Sequence, residues 1–404
     1  ERWNKRLICA GSVALLTAGT QRRRDHRGQV HANLYPRTCV LISSPARFNN
    51  LRGSLQPLKT APFNTTIRNM NTYVDPDRVP SRALHNGMAI PSIGLGTFGN
   101  DRFSARAVAN AVDGAVRAGY RYIDCAAAYG NEAEIGEAIG ELFHSGVVTR
   151  RQLTVSSKVW NNRHSEVAKA CEESLRDLGL EYLDLYLVHW PFPNHHPPGA
   201  APDSRQPDSR PFSVDEYLEC WGQMESLVRR GLVRAIGTSN MTIVKLEAIL
   251  PHCSIMPVVN QMELHPAFQQ PSLFDYCAKK NILPVAFSPL GSPIRPERDR
   301  MPDDISVFEI PEIVTIARSR NIHPALVCLK WAVKRGQVPV PFSVSEAEYV
   351  ANLRSTTEDL LTDEEMRRIS IVDRQCRLIK GVVFLWNSAP SWRSIWDEES
   401  RADT

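Results

Sequence analysis

The chain has 404 residues, 43% of them hydrophobic and 23% charged, and carries a formal net charge of +4. That composition excludes wholesale disorder and fits a soluble globular protein of one large domain or two smaller ones. Residues 1–69 hold twelve of the 48 basic residues and two of the 44 acidic ones, which leaves 36 against 42 for the rest, so the positive charge belongs to the leader and the body offers no nucleic-acid surface.

Residues 1–69 have neither helical nor strand periodicity, begin with Glu1, and contain an apolar run only at 7–16, too short to span a bilayer, so no membrane partner is expected. An Arg-rich, acid-poor leader resembles an organelle transit peptide, for mitochondrion or plastid; the alternative is upstream sequence before a start at Met70, which leaves a cytoplasmic protein. On either reading the leader lies outside the fold, and residues 70–404 form the domain with its C-terminal tail. The nine cysteines are scattered, with no C-x-x-C spacing, as in a protein of a reducing compartment.

Regular patterning starts near Arg82. Ala83-Leu84-His85, Asn86-Gly87 and Met88-Ala89-Ile90 read as a hairpin, since Asn-Gly suits a two-residue turn with both φ angles positive. Strand-like runs then follow at 92–97, 120–124, 153–158, 183–189, 233–238, 256–261, 282–288 and 338–342, eight in all, the number that closes a parallel sheet. Between them lie helical patterns, for example at 104–118, 132–142, 165–178, 214–230 and 311–320. This alternation predicts an α/β fold, a (β/α)8 TIM barrel with an N-terminal β-hairpin and long loops at its C-terminal face. An open doubly wound sheet is the alternative, and the lack of a G-x-G-x-x-G turn after the first run counts against it.

The long connections, 191–211 and 289–310, follow the fourth and seventh runs. Loops of that length without structure of their own tend to be functional lids or disordered insertions. Thr362, with Glu365 three residues on, opens a further helix over 362–372, and the tail carries Phe384, Trp386, Trp392 and Trp396.

Asp124 ends the second strand-like run, Tyr129 lies in the loop after it, Lys158 ends the third run and His189 ends the fourth. Taken singly, an aspartate at a strand end is more often a cap and a histidine before Trp-Pro more often structural. Together, four proton-active groups stand at the end of the barrel where chemistry is done. A tyrosine can serve as a proton donor if its pKa of about 10 falls toward neutrality. A nearby ammonium favours the phenolate, and a buried carboxylate keeps that ammonium charged.

From about residue 83 to 397 the chain resembles the aldo-keto reductases, in the aldose and xylose reductase branch. The resemblance rests on Ile93-Gly94-Leu95-Gly96-Thr97-Phe98, Gly119-Tyr120-Arg121-Tyr122-Ile123-Asp124 with Tyr129, Ser157-Lys158-Val159-Trp160, Leu187-Val188-His189-Trp190-Pro191, Ile236-Gly237-Thr238-Ser239-Asn240, Asn260-Gln261 and Ser288-Pro289-Leu290-Gly291. It implies a (β/α)8 barrel, reduction of aldehydes, ketones or aldose sugars by a nicotinamide cofactor held extended, and a monomer. It also implies that Tyr129 is the acid, that Lys158 and Asp124 tune it, and that His189 orients the carbonyl.

For the cofactor, the resemblance implies Ser239, Asn240 and Gln261 on the nicotinamide amide, Phe287 stacked beneath the ring, Ser288, Leu290 and Ser292 along the pyrophosphate, and Thr97, Ser343 and Asn352 as further contacts. Phe98, Trp160, Trp190 and Trp386 would wall the small-molecule carbonyl substrate. NADPH is the family's cofactor, yet Phe342 and Glu348 stand where two cations would hold its 2′-phosphate, so NADH is expected to serve at least comparably. His195 and His196 invite a metal, but adjacent histidines point apart and no acidic or cysteine partner sits at ligand spacing, so none is expected. Two other readings are a non-catalytic cofactor-binding sensor on the same barrel, which a degraded tetrad would favour, and a polyol dehydrogenase working in the oxidative direction.

Overall fold

Strands β1 (Ser81–Ala83) and β2 (Ala89–Pro91) pair antiparallel, Arg82 opposite Ile90. The fold comes from a computed structural model that describes residues 72–99, 102–193, 208–293, 295, 300–302, 304–359 and 361–398. The leader therefore lies outside the described residues, as do His195 and His196. The hairpin differs from the expected two-residue turn. Leu84 N donates to Met88 O (2.7 Å), Gly87 N donates to Leu84 O (3.0 Å), and of the Asn-Gly pair only Gly87 has a positive φ, 86°. Such a three-residue loop with its glycine in the left-handed position is the other hairpin solution open to Asn-Gly.

The barrel runs β3 (Leu95–Gly96), α1 (Ala105–Ala118), β4 (Tyr122–Asp124), α2 (Glu132–His144), β5 (Thr154–Val159), α3 (Val167–Leu178), β6 (Leu185–Val188), α4 (Val214–Arg229), β7 (Ile236–Ser239), α5 (Ile243–Ile249), β8 (Val259–Glu263), α6 (Pro271–Lys279) and β9 (Leu283–Phe287). It continues through α7 (Pro311–Ser319), α8 (Pro324–Arg335), β10 (Val338–Pro339), α9 (Glu346–Arg354) and α10 (Asp363–Ser370). Strands β3 to β10 form one eight-stranded sheet in sequence order, all pairs parallel. Each strand falls within three residues of its expected run at either end. The outer two are shortest, and β10 is bounded by prolines that lack the N–H a longer ladder needs.

Closure comes from backbone hydrogen bonds between the first and last strand regions, Gly94 N to Pro339 O and Gly96 N to Pro341 O, each 3.0 Å. Gly94, Gly96 and Gly99 have the G-x-G-x-x-G spacing, but the stretch straddles β3 and forms no turn into α1, which begins at Ala105, in line with the expected lack of such a turn after the first run. A Cβ on Gly94 would meet the Tyr122 ring at 2.6 Å and one on Gly96 the Val340 carbonyl at 2.7 Å, so these two glycines serve close packing at the barrel seam.

Helix α1 illustrates the outer layer. Ser104 caps it by accepting from Ala107 N, and Val108, Val112, Ala115 and Val116 bury one face at three- and four-residue spacing. Inside, Leu84 and Ile90 of the hairpin join Tyr122, Leu185, Leu187, Val259 and Val285 in one apolar cluster, so the hairpin seals the end of the barrel away from the strand C-termini. Thr362 and Glu365 make the expected reciprocal cap of α10.

Candidate active site

Along β5 the side chains alternate: Val155 and Val159 join the layer between sheet and helices, while Ser156 and Lys158 meet Asp124 on the other face. Lys158 is fully buried, and its Nζ donates to Asp124 Oδ2 at 2.8 Å and to Cys125 O at 2.9 Å. The other carboxylate oxygen accepts from Ser156 Oγ at 2.6 Å and from Gln261 Nε2 at 3.1 Å. Burial works against the Lys158 charge, but the Asp124 carboxylate and its hydrogen bond reverse that, and the ammonium pKa ends above its ordinary value.

Tyr129 ends a short 3-10 turn, Ala127–Tyr129, and Gly130, at φ 63°, turns the chain into α2. The Lys158 ammonium lies 5.2 Å from the Tyr129 ring centroid, and the His189 ring lies 5.7 Å from it, edge-on. Trp160 stands 5.0 Å from His189, and Phe98, about half exposed, 5.1 Å from Tyr129. The four predicted groups are thus brought together. One electrostatic expectation is corrected: the half-buried Tyr129 phenol is pushed up, not down, because burial outweighs the downward pull of Lys158 and Asp124 adds to the rise. The His189 imidazole is held well below its ordinary value by burial and then by Lys158, so it is neutral at physiological pH.

Ser239 ends β7 and donates to Gln261 O (3.0 Å), and Asn240 turns out of the strand at φ 59°. Asn240 Nδ2 donates to His189 O (2.9 Å), while its Oδ1 is buried without a hydrogen-bond partner. Phe287 ends β9 half-buried, and beyond it Ser288 and Ser292 take positive φ, 48° and 42°, with their hydroxyls 2.6 Å apart and Leu290 half-buried between them. Thr97 is fully buried and its hydroxyl is spent on Asp124 O (2.9 Å). Ser343 follows β10 and donates to Glu348 Oε2 (2.7 Å), Asn352 is buried in α9, and the Phe342 ring packs 5.6 Å from Phe103.

Among the substrate-wall residues, Trp190 lies 4.5 Å from Phe384, and Phe384 lies 6.0 Å from Trp160. Trp386 lies 6.3 Å from Phe192 in the same aromatic cluster as Trp160 and Trp190, and Phe384, for which no wall role was expected, meets both of those rings directly. Also missed was Ser156, which strand alternation alone puts on the Lys158 face. Asn131, whose Nδ2 donates to Thr97 O at 2.8 Å, carried no comparable signal. No group of three or more His, Cys, Asp or Glu side chains that could hold a metal occurs among the described residues.

The sequence model described as the Aldo/keto reductase family matches residues 92–374. An aldo/keto reductase of Synechocystis is 41% identical over 322 residues, 78% of this chain and 95% of that protein. Aldo-keto reductase family 1 member A1-A of Danio rerio is 40% identical over 76% of this chain and 95% of its own length. A solved structure, Bombyx mori aldo-keto reductase in complex with NADP, superposes with a TM-score of 0.66 at 32% identity, covering 74% of this chain and 95% of that one.

Proposed function

The chain belongs to the aldo/keto reductase family, and from that premise we propose that it reduces the carbonyl of small aldehydes, ketones or aldose sugars to the alcohol at the cluster around Tyr129. The observation that carries this reading is the buried Lys158–Asp124 pair, 2.8 Å apart, set 5.2 Å beneath the Tyr129 ring with His189 edge-on to it.

Tyr129, with its pKa raised, stays protonated at neutral pH, the form a proton donor must have. Lys158 stabilises the phenolate that forms as the proton leaves, and Asp124 keeps the ammonium charged and aimed. Neutral His189 can donate one ring N–H to the carbonyl oxygen and so orient it. The nicotinamide cofactor, when bound, supplies the hydride that adds to the carbon. The residues fit its carboxamide: Asn240 keeps a buried acceptor without a partner, and Ser239 and Gln261 lie beside it. Phe287, half-buried at the end of β9, offers a ring for stacking. Ser288, Leu290 and Ser292 would follow the pyrophosphate, and Phe98, Trp160, Trp190 and Phe384 would wall the substrate.

NADPH is the cofactor that family membership supports. A second reading, that NADH serves at least as well, is favoured by one contact, the hydrogen bond from Ser343 to Glu348. Barrels often bind phosphate at the loops after the last two strands with the start of a short helix. Here that helix start carries the Glu348 carboxylate turned in on Ser343, which repels a 2′-phosphate and can accept from ribose hydroxyls.

We place the protein in a reducing compartment, the cytoplasm if residues 1–69 are no address, and the seven described cysteines are all free. No helix among the described residues is long and apolar enough to cross a membrane. The intact tetrad favours an enzyme over a sensor. A screen of aldehydes, ketones and sugars by loss of reduced-cofactor absorbance tests the reading, and no turnover with any of them would overturn it. Removing residues 1–69 is expected to leave that activity intact, and an inactive product would make the leader part of the fold.

A further inference from the structure

Glu263 is the last residue of β8, two beyond Gln261, and is buried with 1% exposure. Its carboxylate accepts from two consecutive backbone N–H groups of the tail, Leu378 to Oε1 (2.8 Å) and Ile379 to Oε2 (3.0 Å). A third donor, His265 Nε2, lies 3.0 Å from Oε1. The neighbouring Arg377, 5% exposed, has its guanidinium 3.6 Å from the Trp396 ring centroid and donates to Glu398 at 2.9 Å. Neither reduction nor cofactor binding, as argued above, uses these groups.

From this anchor a chain of aromatic contacts leads back to the site. Trp396 donates its indole N–H to Lys380 O (2.9 Å), and its ring lies 5.6 Å from Trp190. Trp190 holds Phe384 at 4.5 Å, and Phe384 reaches Trp160, which flanks His189. At Gly381, φ 73°, the tail turns under Trp190 so closely that a Cβ would meet that ring at 3.2 Å. Aromatic packing alone tolerates a tail that slips by a residue. Two adjacent N–H groups on one buried carboxylate do not, because a slip leaves the charge without its donors.

Resting on the proposed reductase reading, we propose that Glu263, with Arg377, is a positioning residue that sets the register of the tail. Through Phe384 it fixes the apolar wall that selects aryl over small aliphatic carbonyl substrates. It acts on the shape of the site and takes no part in the proton or hydride transfer.

The test compares Glu263→Gln with the full chain on a small aliphatic aldehyde and an aryl aldehyde. Expected are a KM for the aryl aldehyde raised about tenfold with little change in kcat, near-normal kinetics for the small aldehyde, and unchanged cofactor Kd. Phe384→Ala should give the same aryl-specific rise. Should Glu263→Gln fail to fold, Glu263→Met with Arg377→Met removes both buried charges and leaves the partly exposed Glu398 beside Arg393 at 3.7 Å, and the same split is expected. Equal losses on both aldehydes, no change on either, or a double variant that also fails to fold would each overturn the proposal. A wild-type chain that turns over neither aldehyde would instead overturn the reductase reading beneath it.

Discussion

The Lys158 ammonium and the Asp124 carboxylate meet at 2.8 Å with both side chains almost wholly out of water. A lone buried ammonium would lose its proton, and this one holds it, so the pair is the source of the positive charge beside Tyr129. Lys158→Met removes that charge and leaves Asp124 buried without it. The expected result is a fall in kcat of at least about a hundredfold, the scale of losing a positioned acid–base contribution. Tyr129→Phe should abolish reduction while cofactor Kd stays unchanged, since only the hydroxyl is lost. Near-normal turnover in either variant would remove the tetrad assignment.

The pH dependence follows from His189. Its pKa is depressed by burial and by Lys158, so the neutral ring persists on the acid side of the ordinary histidine value of about 6.5. A depressed histidine gains its charge only below that value, so kcat/KM for reduction should hold steady from neutrality down through pH of about 6.5. A limb at that pH, abolished by His189→Asn, would contradict the neutral assignment.

On the NADH reading, cofactor choice turns on Ser343 and Glu348. Phe342→Lys with Glu348→Arg adds two cations where a phosphate would lie and removes the carboxylate. Each charged contact is worth about 1.5–3 kcal/mol, so NADPH binding should tighten at least tenfold relative to NADH. Fluorescence quenching gives both Kd values. A wild-type chain that binds NADPH a hundredfold tighter than NADH would rule out the NADH reading.

Gly96→Ala would put a methyl 2.7 Å from the Val340 carbonyl, where the chain meets its own end. Forced separation there should cost about 1–3 kcal/mol, as overpacking does elsewhere, and lower Tm measured by calorimetry. An unchanged Tm would show that the seam yields freely.

The barrel was legible because eight apolar runs alternate with helical patterns, and the cluster because Asp124, Lys158 and His189 fall at successive run ends with Tyr129 in the loop after the first of them. What escaped depends on contacts between distant residues. Asn86-Gly87 is compatible with two turn types, and only the pairing of Leu84 with Met88 chooses between them. Tail aromatics follow no period, so nothing in the sequence singled out Phe384, which meets Trp160. The upward shift of Tyr129 reflects burial by side chains from several strands, which no local pattern records. Glu263 lay beyond the expected run at 256–261 and drew no notice, because its partners at 378 and 379 lie more than a hundred positions away.

Gln261 reaches Asp124 from β8, four places along the sheet from β4, which in an eight-stranded closed sheet is the opposite wall. The bond therefore crosses the mouth of the barrel, with Lys158 and Ser156 bracing the same carboxylate from β5. The width of the barrel is set by its eight strands and their stagger, and two side chains are long enough to span it here. Shortening either one, as in Gln261→Asn, would break that span while the backbone ladders hold the walls, leaving Asp124 Oδ1 with Ser156 as its donor, so that the carboxylate under Lys158 is steadied from one wall of the barrel instead of two.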